Sequence, residues 1–302
     1  MTRVAVGDIG TNTVRLLVAD VVRSAVGDLE VDEVEVRTEV VGLGRGLHAT
    51  GRLQPDAISR TVTALRSFSA ALAEADHSIL VATSASRDAL NRDEFFDAAR
   101  AACGIRPSLI SGEQEAGYAF AGAVQAVPGE RITVVDIGGG STEFVTGTNY
   151  VEWAVSIDIG SVRLTDLHLG DGPVSAGVLA QARSVARHNI GAAEVGAAGR
   201  LVGVAGTCTT VAGTLLGLTY HDRERTHLST ITLDDVQELI ARLSALDTAQ
   251  IARVGTIGEK RAPVILGGLV VLEASLLAMG AADMTISERD LLHGVAIALV
   301  ST

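Results

Sequence analysis

The sequence is poor in cysteine, lysine and aromatic residues. Only two of its 302 residues are cysteines, Cys103 and Cys208, and they lie far apart with no Cys-x-x-Cys spacing. This scarcity fits a reducing compartment, and both cysteines are predicted to be small core residues. Lys260 is the only lysine, so nearly all of the positive charge is guanidinium, which suits bidentate contacts with phosphate.

Positive charge is also in short supply. The net charge is −12, and the chain has no basic tail and no arginine stripe. This argues against nonspecific binding of DNA or RNA, and a polyanionic ligand would need a local group of arginines. The seven histidines are scattered without metal-ligand spacing. An aromatic content of 3% gives no sign of an exposed apolar assembly face.

The first predicted strand begins at Val4 and is not preceded by a charged leader with an apolar run. We therefore expect a cytoplasmic protein without a signal peptide. The one stretch that imitates a membrane span, residues 262–282, is interrupted by Glu273 and by two glycines at 267–268. Because a charge at mid-span is costly in lipid, this stretch is predicted to be a buried core helix, with no membrane association.

What the sequence does contain is a duplicated loop. The run R-V-A-V-G-D-I-G-T-N-T-V-R at 3–15 recurs in register as R-I-T-V-V-D-I-G-G-G-S-T-E at 131–143. In each copy a β-branched strand ends in an aspartate, Asp8 or Asp136, followed by small residues rich in hydroxyl groups. A backbone of this kind can wrap a phosphate or a metal-phosphate complex. The duplication predicts two similar domains with a phosphorylated ligand held between them.

The order of predicted elements repeats along with the loop. Period-two alternation and helical spacing predict a βββαβα unit in each half, and Pro128-Gly129-Glu130 is the favoured junction. We therefore predict domain I over 1–126 and domain II over 127–302, and leave open whether a last helix at 290–302 packs back on domain I. This layout resembles the duplicated, ribonuclease H-like α/β fold of actin, sugar kinases and heat-shock-chaperone ATPases, with an interdomain cleft.

Four segments carry candidate chemistry. In the second loop, Gly138, Gly139 and Gly140 leave their N–H groups unshielded, Ser141 and Thr142 add hydroxyl donors, and the carboxylates of Asp136 and Glu143 could hold a divalent cation. The alternative for this loop is a plain hairpin turn.

The second segment follows the strand at 78–82. There, Arg87 could reach a phosphate or pair with Asp88 or Asp93.

The other two segments are helix starts. Glu113 and Glu115 face differently on one helix, and spacing alone favours a solvated helix start for both. Gly206 and Thr207 begin a helix after a strand, which is a geometry that binds phosphate but is common in structural turns as well.

Seven ordered motifs together resemble the exopolyphosphatase and guanosine pentaphosphate phosphohydrolase family, written Ppx/GppA. The resemblance covers essentially the whole chain. The motifs are D-I-G-T-N-T-V-R at 8–15, A-T-S-A-S-R-D-A-L-N at 82–91, S-G-E-Q-E-A at 111–116, D-I-G-G-G-S-T-E at 136–143, G-S-V-R-L-T at 160–165, G-V-A-G-T-C-T-T at 203–210 and K-R-A-P-V-I-L-G-G at 260–268.

The resemblance implies a role for individual residues. Glu115 would be the general base that polarises the attacking water, and Glu113 the carboxylate at the helix start. Asp136 and Glu143, with Asp8 nearby, would serve a Mg²⁺ site that could also take Mn²⁺, and Arg87 would contact the terminal phosphates. The implied phosphate-binding residues are Thr11, Asn12, Thr13, Arg15, Gly138, Gly139, Gly140, Ser141, Thr142, Gly206 and Thr207.

The implied activity is exopolyphosphatase: metal-dependent hydrolysis of the terminal phosphoanhydride of inorganic polyphosphate. Long family members continue into a helical C-terminal half, so a chain of this length is expected to favour shorter polyphosphate, and the family suggests a homodimer. Three alternatives stay open. The nearest is hydrolysis of guanosine pentaphosphate, which would link the protein to the stringent response, and the others are an ATP-dependent kinase and a nucleotide-gated scaffold.

Overall fold

The computed structural model describes residues 1–24, 27–170, 172–196 and 199–301. The described chain forms two compact units, one of Met1–Gly122 together with Leu291–Thr302, the other of Ala123–Asp290. Thr302, the end of the predicted second domain, lies outside the described residues.

Eleven strands are assigned within the described ranges. They are β1 Thr2–Ile9, β2 Thr13–Arg23, β3 Leu29–Val40, β4 His77–Ala82, β5 Ser108–Leu109, β6 Ile132–Ile137, β7 Thr142–Gly147, β8 Val151–Ile157, β9 Arg200–Val204, β10 Thr230–Thr232 and β11 Asp283–Ile286.

Fourteen α-helices are assigned in the same ranges, with a 3₁₀ turn at Val124–Ala126 and a π-helical turn at Thr165–Leu169. The helices are α1 Leu47–Thr50, α2 Pro55–Glu74, α3 Ser84–Asp88, α4 Arg92–Cys103, α5 Gly112–Ala123, α6 Ser161–Leu164, α7 Ala176–Ala192, α8 Ala205–Leu215, α9 Arg223–Thr226, α10 Leu233–Ser244, α11 Thr248–Ile251, α12 Gly258–Arg261, α13 Ile265–Ala278 and α14 Leu291–Ser301.

The two units share one sheet topology. The strand order is β3-β2-β1-β4-β5 in the first unit and β8-β7-β6-β9-β11-β10 in the second. In each, the first three strands are antiparallel, and the first strand pairs parallel with the strand that follows the crossover. The predicted duplicated α/β fold is therefore confirmed, and the second unit adds β10 as an antiparallel edge strand.

In the first unit the sheet is buried on both faces. Ala5 and Ile9 on β1 face one apolar cluster together with α2 and α4. Val4 and Val6 face a second cluster, which is covered by α14. A strand with helices on both sides needs a nearly continuous apolar run, as β1 has.

The C-terminal helix α14 is fixed to the first unit by close packing and by a polar contact between side chains. The buried His293 lies with its Nε2 2.8 Å from Glu33 Oε1 on β3. Gly294 packs so closely on α5 that a Cβ atom there would lie 2.0 Å from the Tyr118 carbonyl oxygen. Only glycine allows this approach.

We therefore expect Gly294→Ala to destabilise the protein by about 1–3 kcal/mol, because the added methyl group overpacks a fixed backbone contact. Gly117→Ala is the matched control, since Gly117 lies one residue before Tyr118 in α5 and a Cβ atom there meets nothing within 4 Å. Urea denaturation of both variants measures the difference. Equal midpoints would contradict the close approach of α14.

The core of the second unit surrounds α13. Twelve of its fourteen residues are buried, so the prediction of a buried core helix in residues 262–282 is confirmed. Glu273 is only 4% exposed. Its two carboxylate oxygens accept hydrogen bonds from Arg183 Nε at 2.6 Å and Nη2 at 2.8 Å, and α7 carries this arginine. Within the described ranges, no helix combines the length and the apolar character needed to cross a bilayer.

Candidate active site

The two Asp loops are closed by the same backbone hydrogen bond. In the first, the Gly10 N–H donates to the Thr13 carbonyl at 2.9 Å, and in the second the Gly138 N–H donates to the Ser141 carbonyl at 3.1 Å. The strands on either side are also in equivalent register, since Asp8 pairs with Arg15 and Asp136 with Glu143. The duplication seen in the sequence therefore extends to the backbone conformation of both loops.

The second loop brings two carboxylates together. Asp136 and Glu143 are cross-strand partners, so their side chains neighbour each other on one face of the sheet, and both are buried. Glu143 Oε1 accepts a hydrogen bond from Ser156 Oγ at 2.7 Å. Two adjacent buried carboxylates repel each other unless a cation compensates them, which fits a site for Mg²⁺.

No cluster of three or more His, Cys, Asp or Glu side chains suited to hold a metal is found among the described residues. Asp8, the third predicted ligand, belongs to the other unit. Mg²⁺ is commonly held by one or two carboxylates together with substrate phosphates, so the pair Asp136 and Glu143 fits this chemistry.

Thr142 uses its hydroxyl within the protein. Its Oγ1 donates to the Ile159 carbonyl at 2.6 Å, which links the loop to the segment after β8. This hydroxyl proton, predicted to be donated to a phosphate, is therefore donated within the protein. The phosphate contacts predicted for this loop therefore depend on its backbone N–H groups and on Ser141.

Gly206 and Thr207 lie in the first turn of α8, as the strand-to-helix pattern predicts. The residue before them, Ala205, has a positive φ of 65°, which sets a sharp turn out of β9. A Cβ atom at Gly206 would lie 2.3 Å from Arg261 Nη1, so this guanidinium rests directly on the helix start. Helix N-termini attract anions, and Arg261 adds a full positive charge there.

Sequence reasoning missed a role for Arg261. The motif at 260–268 contains it, but nothing in the spacing indicates that α12 returns to the start of α8. The sequence carries no signal for this contact.

The first unit carries a group of buried polar side chains around its loop. Asp8, Thr11 and Asn12 are all buried. In the part of the chain that the structure describes, Asn12 Oδ1 and Ser86 Oγ are buried without a hydrogen-bond partner. Buried polar atoms are nearly always satisfied in native proteins, so Asn12 on the loop and Ser86 on α3 are candidates for contact with a bound group.

The buried Glu115 forms an ion pair with the partly exposed Arg87 in the same unit. Arg87, on the short helix α3, donates from Nη1 to Glu115 Oε2 at 2.7 Å and to the Ile110 carbonyl at 3.1 Å. Thr83 also hydrogen-bonds the Glu115 carboxylate. Asp93, one of the partners that the sequence left open for Arg87, binds Arg106 at 3.0 Å.

Burial raises the pKa of Glu115 above its usual range, and the nearby Arg87 guanidinium and the Thr83 hydrogen bond only partly oppose this rise. Proton affinity above that of an ordinary carboxylate is what a general base needs near neutral pH. Glu115 is 8% exposed.

Glu113 has a different environment from Glu115. It is exposed, as spacing alone predicts for both glutamates, whereas Glu115 is buried, so the prediction of a solvated position is wrong for Glu115. The start of α5 is capped by Ser111 and Gln114: the Gln114 N–H donates to Ser111 Oγ at 3.1 Å, and the Ser111 N–H donates to Gln114 Oε1 at 3.0 Å. This reciprocal pair stabilises the helix start and leaves both glutamates out of the cap.

Comparison with known proteins agrees with this geometry. The model of the Ppx/GppA phosphatase family matches residues 21–302. The chain belongs to the Ppx/GppA phosphatase family. It is therefore a phosphoanhydride hydrolase with the duplicated actin-like fold that its sheets display.

Two curated Ppx/GppA relatives differ in name and in length. Exopolyphosphatase 2 of Mycobacterium tuberculosis is 39% identical over 316 residues, which cover 99% of each chain. A guanosine-5'-triphosphate,3'-diphosphate pyrophosphatase of Aeromonas hydrophila is 30% identical over 298 residues, or 97% of this chain but 58% of that protein.

Solved Ppx/GppA structures align along nearly the whole chain. An exopolyphosphatase-like protein has a TM-score of 0.89 at 32% identity and covers 98% of this chain and 97% of its own. An exopolyphosphatase from Cytophaga hutchinsonii has a TM-score of 0.86 at 27% identity, with coverage of 99% and 98%.

Proposed function

We propose that this Ppx/GppA protein is an exopolyphosphatase, which hydrolyses the terminal phosphoanhydride of inorganic polyphosphate and releases orthophosphate. The observation that carries the proposal is the buried Glu115, paired with Arg87, raised in pKa by burial and hydrogen-bonded by Thr83. The Thr83 N–H in turn donates to the Ile9 carbonyl at 3.2 Å, at the end of the strand that leads into the first Asp loop. A carboxylate in this state is suited to activate water, whereas a plain phosphate-binding scaffold has no need of one.

In the proposed reaction, Glu115 accepts a proton from water as the water oxygen attacks the terminal phosphorus in line. The bond from this phosphorus to the bridging oxygen breaks, and the bridging oxygen keeps the electron pair. The products are orthophosphate and a chain shorter by one phosphate. Phosphoryl transfer asks for little covalent chemistry from the protein, so the rate comes from positioning and charge compensation.

Each loop has a proposed part in holding the substrate. The N–H groups of Gly139 and Gly140, together with Ser141, would bind phosphate oxygens, whereas the Gly138 N–H, also predicted as a donor, is used within the loop by the Ser141 carbonyl. Arg261 with the start of α8 would bind a further phosphate. In the first unit, Arg87 and Arg15 would offset charge, while Thr11, Asn12 and Thr13 complete the binding loop. We propose that Asp136 and Glu143 hold Mg²⁺, with Asp8 as a further ligand. Bound Mg²⁺ would neutralise charge on the phosphate oxygens.

Phosphate release decides the substrate. We expect the highest kcat/KM on short polyphosphate, with lower values on very long chains, on guanosine pentaphosphate and on ATP, measured side by side with Mg²⁺ and Mn²⁺. Preference for guanosine pentaphosphate would replace the proposed substrate with the one named in the Aeromonas hydrophila relative. Equal turnover per chain end on short and long polyphosphate would contradict the preference for short chains.

The metal proposal gives a separate prediction. A chelator should abolish phosphate release, and added Mg²⁺ should restore it. Asp136→Asn should raise the Mg²⁺ concentration needed for half-maximal activity by about tenfold or more, because it removes one of two adjacent charged ligands. Asp283→Asn, an exposed carboxylate in the same unit, is the control and should leave the Mg²⁺ dependence unchanged.

We further propose a homodimer, by the resemblance to the family. Sedimentation equilibrium over a range of protein concentrations tests it. A constant mass of 31.1 kDa across that range would exclude the dimer.

A further inference from the structure

A second glycine-bearing segment follows the third strand of each unit and lies against the Asp loop. In the first unit it spans 41–46, after β3, and in the second it spans 158–163, after β8 and into α6. We call these two stretches the bracing segments. The sequence by itself indicates no role for either of them.

In the second unit the bracing segment binds three consecutive carbonyl groups of the loop. The Ser161 N–H donates to the Gly138 oxygen at 3.0 Å, and the N–H groups of Val162 and Arg163 donate to the Gly139 oxygen at 2.8 and 3.0 Å. The Arg163 side chain donates from Nε to the Gly140 oxygen at 2.7 Å.

These hydrogen bonds fix the direction of the loop's donors. In a trans peptide the carbonyl oxygen and the next residue's N–H point in opposite directions. With the oxygens of Gly138, Gly139 and Gly140 turned toward the bracing segment, the N–H groups of Gly139, Gly140 and Ser141 point away from it. The loop therefore presents donors on its outer side and keeps its carbonyl oxygens, which would repel a phosphate, on the other.

The first unit uses the same arrangement with different atoms. The Gly44 N–H donates to the Thr11 oxygen at 2.8 Å, and the N–H groups of Val41 and Gly42 donate to the Asn12 oxygen at 2.9 Å. Thr11 and Asn12 stand where Gly139 and Gly140 stand in the second copy. The Arg163 side chain in the second unit thus replaces two backbone donors of the first.

Neither bracing segment has room for a side chain at its closest point. A Cβ atom at Gly44 would lie 2.3 Å from Thr11 Cγ2, and one at Gly160 would lie 2.6 Å from the carbonyl carbon and oxygen of Gly139. Gly160 has φ −160°, an extended conformation that any residue adopts, so the contact with the loop accounts for its glycine.

We propose that Arg163 is a positioning residue for the phosphate loop, which holds the Gly140 carbonyl and so aims the Ser141 N–H at the substrate. The inference rests on the proposed function in that it takes the ligand of this loop to be a substrate phosphate. The arginine acts through its Nε–H, and its charge is not the essential feature. Its Nη2 lies 3.6 Å from Asp158 Oδ1, and an ion pair with such an exposed carboxylate contributes little to stability.

Three substitutions separate the Nε–H from the charge. Glutamine carries its amide nitrogen after Cβ, Cγ and Cδ, the same place that Nε occupies in arginine, so Arg163→Gln keeps a donor and removes the charge. Lysine has a methylene at that place, so Arg163→Lys keeps the charge and loses the donor. Arg163→Met loses both.

We expect Arg163→Gln to keep kcat/KM for phosphate release within about threefold of the unchanged protein. Arg163→Lys and Arg163→Met should both lose about 10- to 100-fold, mainly in kcat, since misaimed donors weaken the transition state more than binding. Thermal midpoints of all three variants and of Asp158→Asn, which should behave as the unchanged protein, are measured in parallel.

The order of the variants decides the inference. A higher kcat/KM for Arg163→Lys than for Arg163→Gln would mean that the charge of Arg163 contacts the substrate directly. Equal kcat/KM for all three variants would mean that the Nε–H is dispensable. Either result overturns the proposal. Activity losses that follow the thermal midpoints would also overturn it, because they would reduce the role of Arg163 to stability.

A substitution elsewhere in the same bracing segment tests its role without a change at Arg163. Gly160→Ala should lower kcat/KM by about 10-fold or more, because its methyl group displaces Gly139. Gly177→Ala on α7, where a Cβ atom meets nothing within 4 Å, should not. Full activity of the Gly160→Ala protein would contradict the role of the bracing segment.

If the unchanged protein releases phosphate from none of the substrates tested, the proposed function fails, and the role of Arg163 is tested separately. Binding of orthophosphate, measured by calorimetry, then ranks the same variants.

Discussion

Glu115→Gln should bind polyphosphate normally and turn it over about a hundred- to ten-thousand-fold more slowly, which is the typical contribution of a positioned base. The amide is similar in size to the carboxylate and can still accept a hydrogen bond from Arg87, so the site around it is preserved. The expected result is a large fall in kcat with little change in KM. Phosphate release under saturating substrate measures the first, and its concentration dependence the second.

Glu113→Gln is the matched control for this experiment. Glu113 lies two residues earlier in the same helix and is exposed, so its substitution should leave kcat within about twofold. Near-normal turnover by the Glu115 variant would remove this residue from the role of base. A loss of equal size in both variants would point to damage at the start of α5.

The raised pKa of Glu115 also sets the pH dependence of activity. A base works only when deprotonated, so activity should fall as the pH drops through its pKa. Because burial raises that pKa, the acid limb of kcat/KM should lie above the pH at which an ordinary glutamate titrates, which is about 4.3. In Glu115→Gln the residual activity should lack this limb. If the acid limb persists unchanged in Glu115→Gln, it reports the titration of another group.

Arg183→Met should destabilise the protein by about 3–5 kcal/mol, because it leaves the Glu273 carboxylate buried on α13 without its cation. The effect should be seen as a lower midpoint in thermal and urea denaturation. Replacement of both partners, Arg183→Met with Glu273→Leu, should restore most of the stability or exceed it, because an apolar pair carries no desolvation penalty.

Arg200→Met provides the comparison for the buried pair. Arg200 pairs with Glu130 at 3.0 Å in the same unit, but both side chains are nearly half exposed, so this change should cost about 0–1 kcal/mol. Similar losses from Arg183→Met and Arg200→Met would mean that burial adds nothing to the Glu273 pair.

The sequence predicts the local structure of this protein well, because the signals for it are local. The two Asp loops, the buried strands before them and the buried helix around Glu273 all follow from periodicity, turn residues and an internal repeat. The exposed position of Glu113 also follows from spacing, but the burial of Glu115 does not, because it depends on contacts with Thr83 and Arg87 from another part of the chain. The features that the sequence predicts depend on neighbours within a few residues.

Contacts between distant segments could not be predicted in the same way. Nothing in the sequence indicates that Arg87 reaches Glu115, that Arg261 rests on Gly206, or that Arg163 holds Gly140. Each contact depends on how separate elements pack, and a guanidinium can find several partners at similar distances. The glycines at 44 and 160 are visible in the sequence, but only the packed structure shows that each one touches an Asp loop.

The return of α14 to the first unit has a consequence for synthesis on the ribosome. The cluster formed by Val4, Val6 and the last helix cannot close until residues 291–301 have left the exit tunnel. The second unit is contiguous in the chain and can complete its core earlier. Throughout that interval one apolar face of β1 stays exposed, so the nascent first unit is the part of the chain most in need of a chaperone.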